Sequence, residues 1–342
     1  MTREPCQMMN LTTLRRAAMT RLTTRVIRML LLGSVMVLSG PSGTTAVFAQ
    51  GSKPKAFASP KAAITALIDA VKKKDSATTL AILGSETKQW ITSGDPVQDR
   101  QGREAFIAAF DQKNGIEKEG DTKAILVIGD DGFSFPFPVI KSAKGWAFDP
   151  EQGREELLNR RIGRNELTMV KVLLAVSDAQ REYASVDRNG DGVLEYAAKL
   201  RSSDGKQDGL YWPAAKGEPL SPLGPLVAEA VQEGYSAKKP DPNAEQPRAF
   251  HGYHFKLLTG QGEDAPVGEQ DYIVGGKAIG GFAVLAYPAR YGNSGVMTFM
   301  VSHDGTVYDA DFGPKTAEEA REIDLFNPGK GWEKVDPELA SN

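Results

Sequence analysis

The sequence of 342 residues holds one cysteine, Cys6. Past that position the chain can form no disulfide, and it offers no thiol nucleophile and no cysteine-ligated metal. Histidine is almost as scarce, with His251, His254 and His303 the full set. His251 and His254 stand as H-x-x-H in "HGYH". On a strand, residues three apart point to opposite faces, so the pair does not chelate one ion. The helical metalloprotease pattern H-E-x-x-H is absent, and so is the G-x-S-x-G of a serine hydrolase. Ser302, His303 and Asp304 are consecutive, and neighbours on a strand do not face one another as a triad must. No catalytic residue is assigned.

Long apolar runs are missing too. The longest opening run, "MLLLGSVMVLSG" from Met29 to Gly40, falls short of the roughly 20 residues a bilayer span needs. Arg3, Arg15, Arg16, Arg21, Arg25 and Arg28 precede it with one acid, Glu4, and the small residues Val47 and Ala49 follow in "TTAVFAQ". That order of basic, apolar and small residues reads as a secretory signal peptide over 1–49, cleaved after Ala49, rather than a membrane anchor. Met19 is an alternative start, because the basic region is long. Arg15-Arg16 lies too far ahead of the apolar run for twin-arginine export, and no cysteine follows the run to make a lipoprotein. The expected address is the periplasm of a Gram-negative bacterium or its medium. Without the leader, 35 basic residues face 43 acidic ones, a net charge of about −8. Such a balance disfavours nucleic acid and anionic membrane surfaces. The partners expected are an envelope or extracellular protein or a small ligand.

What is present is enough apolar residue, 41%, for packed cores. In "ASPKAAITALIDAVKKKD", Ser59 caps a helix, Pro60 opens it, and Ile64, Leu67, Ile68 and Val71 share one face. Further helices are predicted over Ser76 to Leu83 and about Arg103 to Gln112. The texture then turns to three short apolar runs split by "GDDG" and "SAKG", an antiparallel meander with Pro136 and Pro138 at an edge or bulge. After Pro150 comes a helical stretch that Gly163 interrupts, apolar nearly all round from Asn165 and therefore buried. Strand signals follow from "HGYHFKLL" to "TVYDADFG", with Gly275-Gly276 and Asp304-Gly305 at hairpin positions.

The expected architecture is α+β in two domains, 50–158 and 159–342. The first, helices on a curved antiparallel sheet, resembles the nuclear-transport-factor-like fold, which implies a conical pocket. The second, a buried helix and then an antiparallel meander, resembles the globular heads of pilin-like and pseudopilin-like proteins. Several strings, "SGDPVQDR" (93–100), "RRIGRNEL" (160–167), "AQREYASVDRNGDGVLEYA" (179–197), "DGLYWP" (208–213), "HGYHFKLLTGQG" (251–262) and the segment 272–308, together resemble the exported bacterial family catalogued as domain of unknown function 2950. That resemblance implies no activity that could be carried to individual residues.

One loop carries ion chemistry. In "VDRNGDGVLEY", Asp187, Asn189 and Asp191 occupy positions 1, 3 and 5 of a calcium loop, and Gly192 takes the sharp turn at 6. The Val193 carbonyl and Glu195 complete five oxygens of the about six to eight that calcium takes. Position 12 is Ala198 instead of a bidentate glutamate, so a remote carboxylate, Asp204 or Asp208, would close the shell. The alternative is an Asx-rich turn that binds nothing. Arg160, Arg161 and Arg164, with Glu155, Glu156 and Glu166 nearby, read either as an ion-pair network or as an anion site. Tyr287, Arg290, Tyr291 and Asn293 read as a binding surface or as a packed loop.

The function expected from these features is an exported binding or structural protein with a calcium-stabilised loop. The alternative is a periplasmic enzyme with a small-molecule pocket in the first domain, involving Asp95, Asp99 or Arg100.

Overall fold

The computed structural model describes residues 53–214, 217–218, 220–238, 248–336 and 338. The leader, Cys6 and the cleavage position after Ala49 lie outside the described residues. Residues 51–342 cluster as a unit of their own.

Helix α1 (Pro60–Lys72) starts where the sequence places it: the Ser59 hydroxyl oxygen accepts the Ala62 N–H at 3.1 Å. Its buried face is Ala63, Ile64, Leu67, Ile68 and Ala70. α2 (Ser76–Leu83) is capped by Asp75, and a single turn α3 (Lys88–Ile91) buries Trp90. α4 runs from Pro96 to Gln112, a full two turns earlier than the apolar pattern predicts. The reason is Asp95, which caps it and lets Pro96 take the first position.

The first sheet contains β1 (Asn114–Glu119), β2 (Lys123–Ile128), β3 (Phe133–Ser134), β4 (Val139–Ser142) and β5 (Gly145–Phe148). The order is β1-β2-β4-β5, with β3 also on β2, and the pairing is antiparallel throughout. β1 is an addition to the predicted meander. Its "NGIEKE" is exposed along its whole length, so it lacks the apolar alternation that announces a strand. In β2 the alternation is clean: Ala124, Leu126 and Ile128 face inward. Leu126 and Ile128 meet α1, α2, Phe137, Val139 and Phe148 in one core. Pro136 and Pro138 fall between β3 and β4, outside the ladder.

α5 is a continuous helix of 35 residues, Pro150–Ala184. Gly163 does not interrupt it, because a helical glycine costs only about 1 kcal/mol against alanine and long-range packing outweighs that. Gly153 has a positive role: a Cβ there would strike the Pro136 carbonyl and the Phe137 ring. The predicted division at 158/159 falls inside this helix. Its beginning touches the first core through Leu157, and its second half, Met169 to Tyr183, fills another. Leu167 is exposed at 45%, so the buried face is narrower than the composition implies.

After α6 (Gly224–Gln232) come β6 (Tyr253–Leu258), β7 (Gly260–Gln261), β8 (Gln270–Asp271), β9 (Ala283–Pro288), β10 (Thr298–Ser302) and β11 (Val307–Ala310). α7 (Thr316–Glu322), β12 (Leu325–Phe326) and β13 (Glu333–Lys334) close the described chain. The main sheet is β13-β11-β10-β9-β6, antiparallel, and β12-β7-β8 form a small second sheet. Val284, Ala286, Phe299 and Val301 face α5. Ala283, Leu285 and Met300 face α7 and the small sheet, through Ala320, Phe326 and Tyr272. Both faces are covered, which is why β9 and β10 are buried almost throughout and read as unbroken apolar strings. Truncating Leu285 to alanine at 0% exposure would cost about 2–5 kcal/mol. No described helix is long and apolar enough to cross a membrane.

Candidate functional site

Strings 93–100, 160–167, 251–254 and 290–295 are far apart in sequence and meet in one polar knot between the first helical layer and the main sheet. Asp95 is its centre and is fully buried. Its Oδ1 accepts the N–H groups of Val97 (3.0 Å) and Gln98 (3.2 Å), the capping bonds of α4. Its Oδ2 accepts the Tyr235 hydroxyl at 2.7 Å and the Gly252 N–H at 3.1 Å. The Tyr235 oxygen in turn accepts the His251 N–H at 3.2 Å. Burial and then the Asp95 carboxylate push the Tyr235 phenol well above its ordinary value of 10.

His251 and Gly252 are the central pair of a tight turn closed by reciprocal Phe250–Tyr253 backbone bonds. Both take positive φ, 47° and 77°, as the hairpin turn that matches strand twist requires. A Cβ on Gly252 would sit 2.8 Å from Asn165 Nδ2 and 2.9 Å from Ser294 Cβ, so the glycine also permits the close approach of three segments. The His251 Nε2 lies 3.1 Å from Glu233 Oε2, and its ring stacks at an angle on Phe250 and Tyr235.

α5 supplies Arg161 and Asn165, both buried. Asn165 Nδ2 donates to the Ser294 carbonyl at 2.8 Å, and Gln98 Nε2 donates to Asn165 Oδ1 at 2.7 Å. Arg161 Nη1 donates to Asn293 Oδ1 at 2.6 Å, and Asn293 Nδ2 donates to the Gln89 carbonyl at 2.6 Å. Asp99 accepts the Ser93 N–H on both oxygens, at 2.9 and 3.1 Å. Both oxygens of Asp95 are thus occupied by structural donors, and Asp99 fastens the Ser93 turn.

The acidic loop lies elsewhere, at the end of α5. Asp187 accepts the N–H groups of Gly190 and Gly192, each at 2.8 Å, and these bonds, Gly192 first, hold its carboxyl below the ordinary 3.8. Asn189 Oδ1 accepts the Asp191 N–H at 3.0 Å, and Asp191 Oδ1 accepts the Val193 N–H at 3.0 Å. Asn189 Nδ2 donates to Glu195 Oε1 at 2.9 Å. The Lys277 ammonium sits 2.6 Å from Asp191 Oδ2 and is the main cause of that carboxyl's lowered pKa. The donor atoms are all oxygen, which suits a hard cation. Among the described residues, no three His, Cys, Asp or Glu side chains are grouped to hold a metal ion. Asp208 is committed to Lys199 Nζ at 2.7 Å and to the Ser203 N–H at 2.7 Å. The loop's far end is tied down by the Tyr196 N–H to the Ala278 carbonyl at 2.8 Å and by a two-way bond between Ala197 and the Gln180 side chain.

A family model described as "Protein of unknown function (DUF2950)" matches residues 54–335. The chain belongs to this family. No curated protein and no solved structure matches it, so the two fold resemblances rest on element order alone.

The remaining sequence candidates of this DUF2950 chain separate in space. His254 lies on β6 against Tyr287, away from His251 in its turn. His303 packs against Tyr272 and Phe282, while Ser302 donates to Asp304 Oδ1 at 3.0 Å. Gly275 and Gly276 form the expected hairpin tip between Val274 and Lys277. Arg160 pairs with Glu156 at 2.6 Å, and Glu166 accepts the Val296 and Met297 N–H groups at 2.9 and 3.0 Å. Of the knot, Asp95, Arg161 and Asn293 are singled out by sequence. Tyr235, His251 as a turn residue, Asn165 and Gln98 are not, because their partners lie 67 or more positions away in most of these bonds.

Proposed function

We propose that this DUF2950 chain is an exported envelope or extracellular protein that acts through binding and architecture, with residues 187–195 forming a calcium-stabilised joint. The observation that carries the reading is the placement of the loop. It leaves α5, the helix shared by both cores, and returns through Tyr196 and Ala197 into the second core. An ion held by Asp187, Asn189, Asp191, the Val193 carbonyl and Glu195 would fix that return. To bind, it has to displace the Lys277 ammonium from Asp191 and the Asn189 amide from Glu195. An exported protein meets millimolar calcium more often than a cytosolic one, and extracellular calcium modules are weak sites of about that range.

Support for binding over small-molecule catalysis comes from the first core. Leu67, Ile82, Leu126, Phe137, Val139 and Phe148 fill the space between helices and sheet. An open recess of about 220 Å³ lies outside it, lined by Lys123, Ile125, Phe135, Glu156 and Arg160 among others. The test is a pair of melting curves on the mature protein, in millimolar calcium and in chelator. A rise of several degrees with calcium, and much less with magnesium, is expected. Identical curves sink the reading.

A further inference from the structure

We propose that Arg161, Arg164 and Arg290 form a binding site for a phosphate-type dianion at the edge of the polar knot. Arg161 is 8% exposed. Buried guanidiniums are ordinarily matched by a carboxylate. Here Arg161 donates to a neutral amide oxygen, Asn293 Oδ1, and none of the described ion pairs involves Arg161, Arg164 or Arg290. Arg160, the neighbour that does pair, uses Glu156, and Glu166 serves backbone donors instead.

The geometry converges on one strip of backbone. Arg164 lies one turn beyond Arg161 on α5 and is exposed, so the two share a helix face. Arg290 Nη1 donates to the Thr92 carbonyl at 2.7 Å. Its stem crosses Gly94, where a Cβ would lie 3.0 Å from Arg290 Cδ. Asn293, bonded to Arg161, reaches the Gln89 carbonyl in the same strip. The short loop 290–294, closed by the Asn293 and Ser294 N–H groups on the Arg290 carbonyl, therefore sets Arg290 beside Arg161.

The charge balance names the ligand. Burial lowers the Arg161 pKa, Asp99 opposes this, and Arg164 and Arg290 lower it further. Among the charges that act on Arg161, two further guanidiniums stand against one carboxylate, so the strip favours an anion. A dianion offers three guanidiniums more charge and more acceptor oxygens than a carboxylate monoanion does. The planar guanidinium fork also matches phosphate oxygens in bidentate geometry. The dianion has two possible sources, free inorganic phosphate and a terminal phosphate monoester.

The test is calorimetric titration of the mature protein with inorganic phosphate, with glycerol phosphate and with acetate, all against chloride at equal ionic strength. Phosphate is expected to bind, acetate much more weakly, and Arg164→Gln or Arg290→Gln is expected to weaken phosphate about tenfold each. Both residues are exposed, so folding is checked by an unchanged melting temperature in chloride. Equal binding of both phosphates assigns the site to monoesters, and binding of the inorganic ion alone assigns it to free phosphate. Phosphate heats no larger than those of chloride overturn the proposal. So does acetate binding as tightly as phosphate, or binding that both variants leave unchanged.

Discussion

The Tyr235 hydroxyl donates to Asp95 Oδ2 at 2.7 Å across 140 positions of sequence. The same carboxylate caps α4 through its other oxygen. One buried side chain thus fixes where a helix starts and where a distant turn docks against it. Asp95→Ala removes the cap and leaves the Tyr235 hydroxyl and Gly252 N–H without their acceptor. The expected cost is about 4 kcal/mol, one cap plus two orphaned donors. Tyr235→Phe removes two bonds, the one to Asp95 and the one from the His251 N–H, and should cost about 1–3 kcal/mol. Urea denaturation checks both, and equal, small effects would show that the knot is dispensable.

The calcium reading has its own variants. Lys277→Gln takes away the ammonium that occupies Asp191, so calcium should bind more tightly and shift melting more than in the parent. Asp187→Ala should abolish the calcium shift. A calcium response that survives Asp187→Ala places any ion elsewhere.

Glu166 predicts a pH dependence. Desolvation raises its pKa above the ordinary 4.5, against the Met297 and Val296 N–H bonds that lower it. The folded state therefore holds this proton more tightly than the unfolded chain. Its contribution is fully present below pH 4.5 and is lost as pH rises through the folded value. Glu166→Gln keeps an acceptor for both N–H groups and cannot ionise. Stability measured upward from pH 4.5 should fall less steeply in the variant than in the parent. Identical slopes would show that Glu166 titrates as it does in the unfolded chain.

The two-domain division can be tested by making residues 50–158 alone. The first core draws its buried members from α1, α2, the first sheet and Phe137, all within that range. The fragment should unfold cooperatively, at lower denaturant than the full chain, because Asp95 loses Tyr235 and Gly252. Absence of a transition would make 50–158 dependent on the rest of α5.

Export is tested most directly by terminal sequencing. The mature chain recovered from the periplasm or medium should begin at Gln50 or within a few residues. Recovery of the full-length chain in the cytoplasm counts against the leader.

Elements whose signals are local can be read from the residues alone. α1 is readable because its capping residue and its apolar face are neighbours along the chain, and α2 because an unbroken short run follows the Asp75 cap. β6, β9, β10 and β11 are readable because β-branched, aromatic and apolar runs end at turn residues. The acidic loop is legible as a pattern of oxygen donors, and the DUF2950 membership as a set of strings. The remaining features come from long-range packing. β1 exists because β2 pairs with it, although its own residues are all exposed. Gly163 stays helical because packing at both ends of α5 outweighs its weak propensity. The polar knot was hidden because Asp95, Asn165, Tyr235, Gly252 and Ser294 carry no local pattern that pairs them. Only the folded chain, by burying them together, makes each the other's hydrogen-bond partner, since a buried polar group left alone costs more than the bond returns.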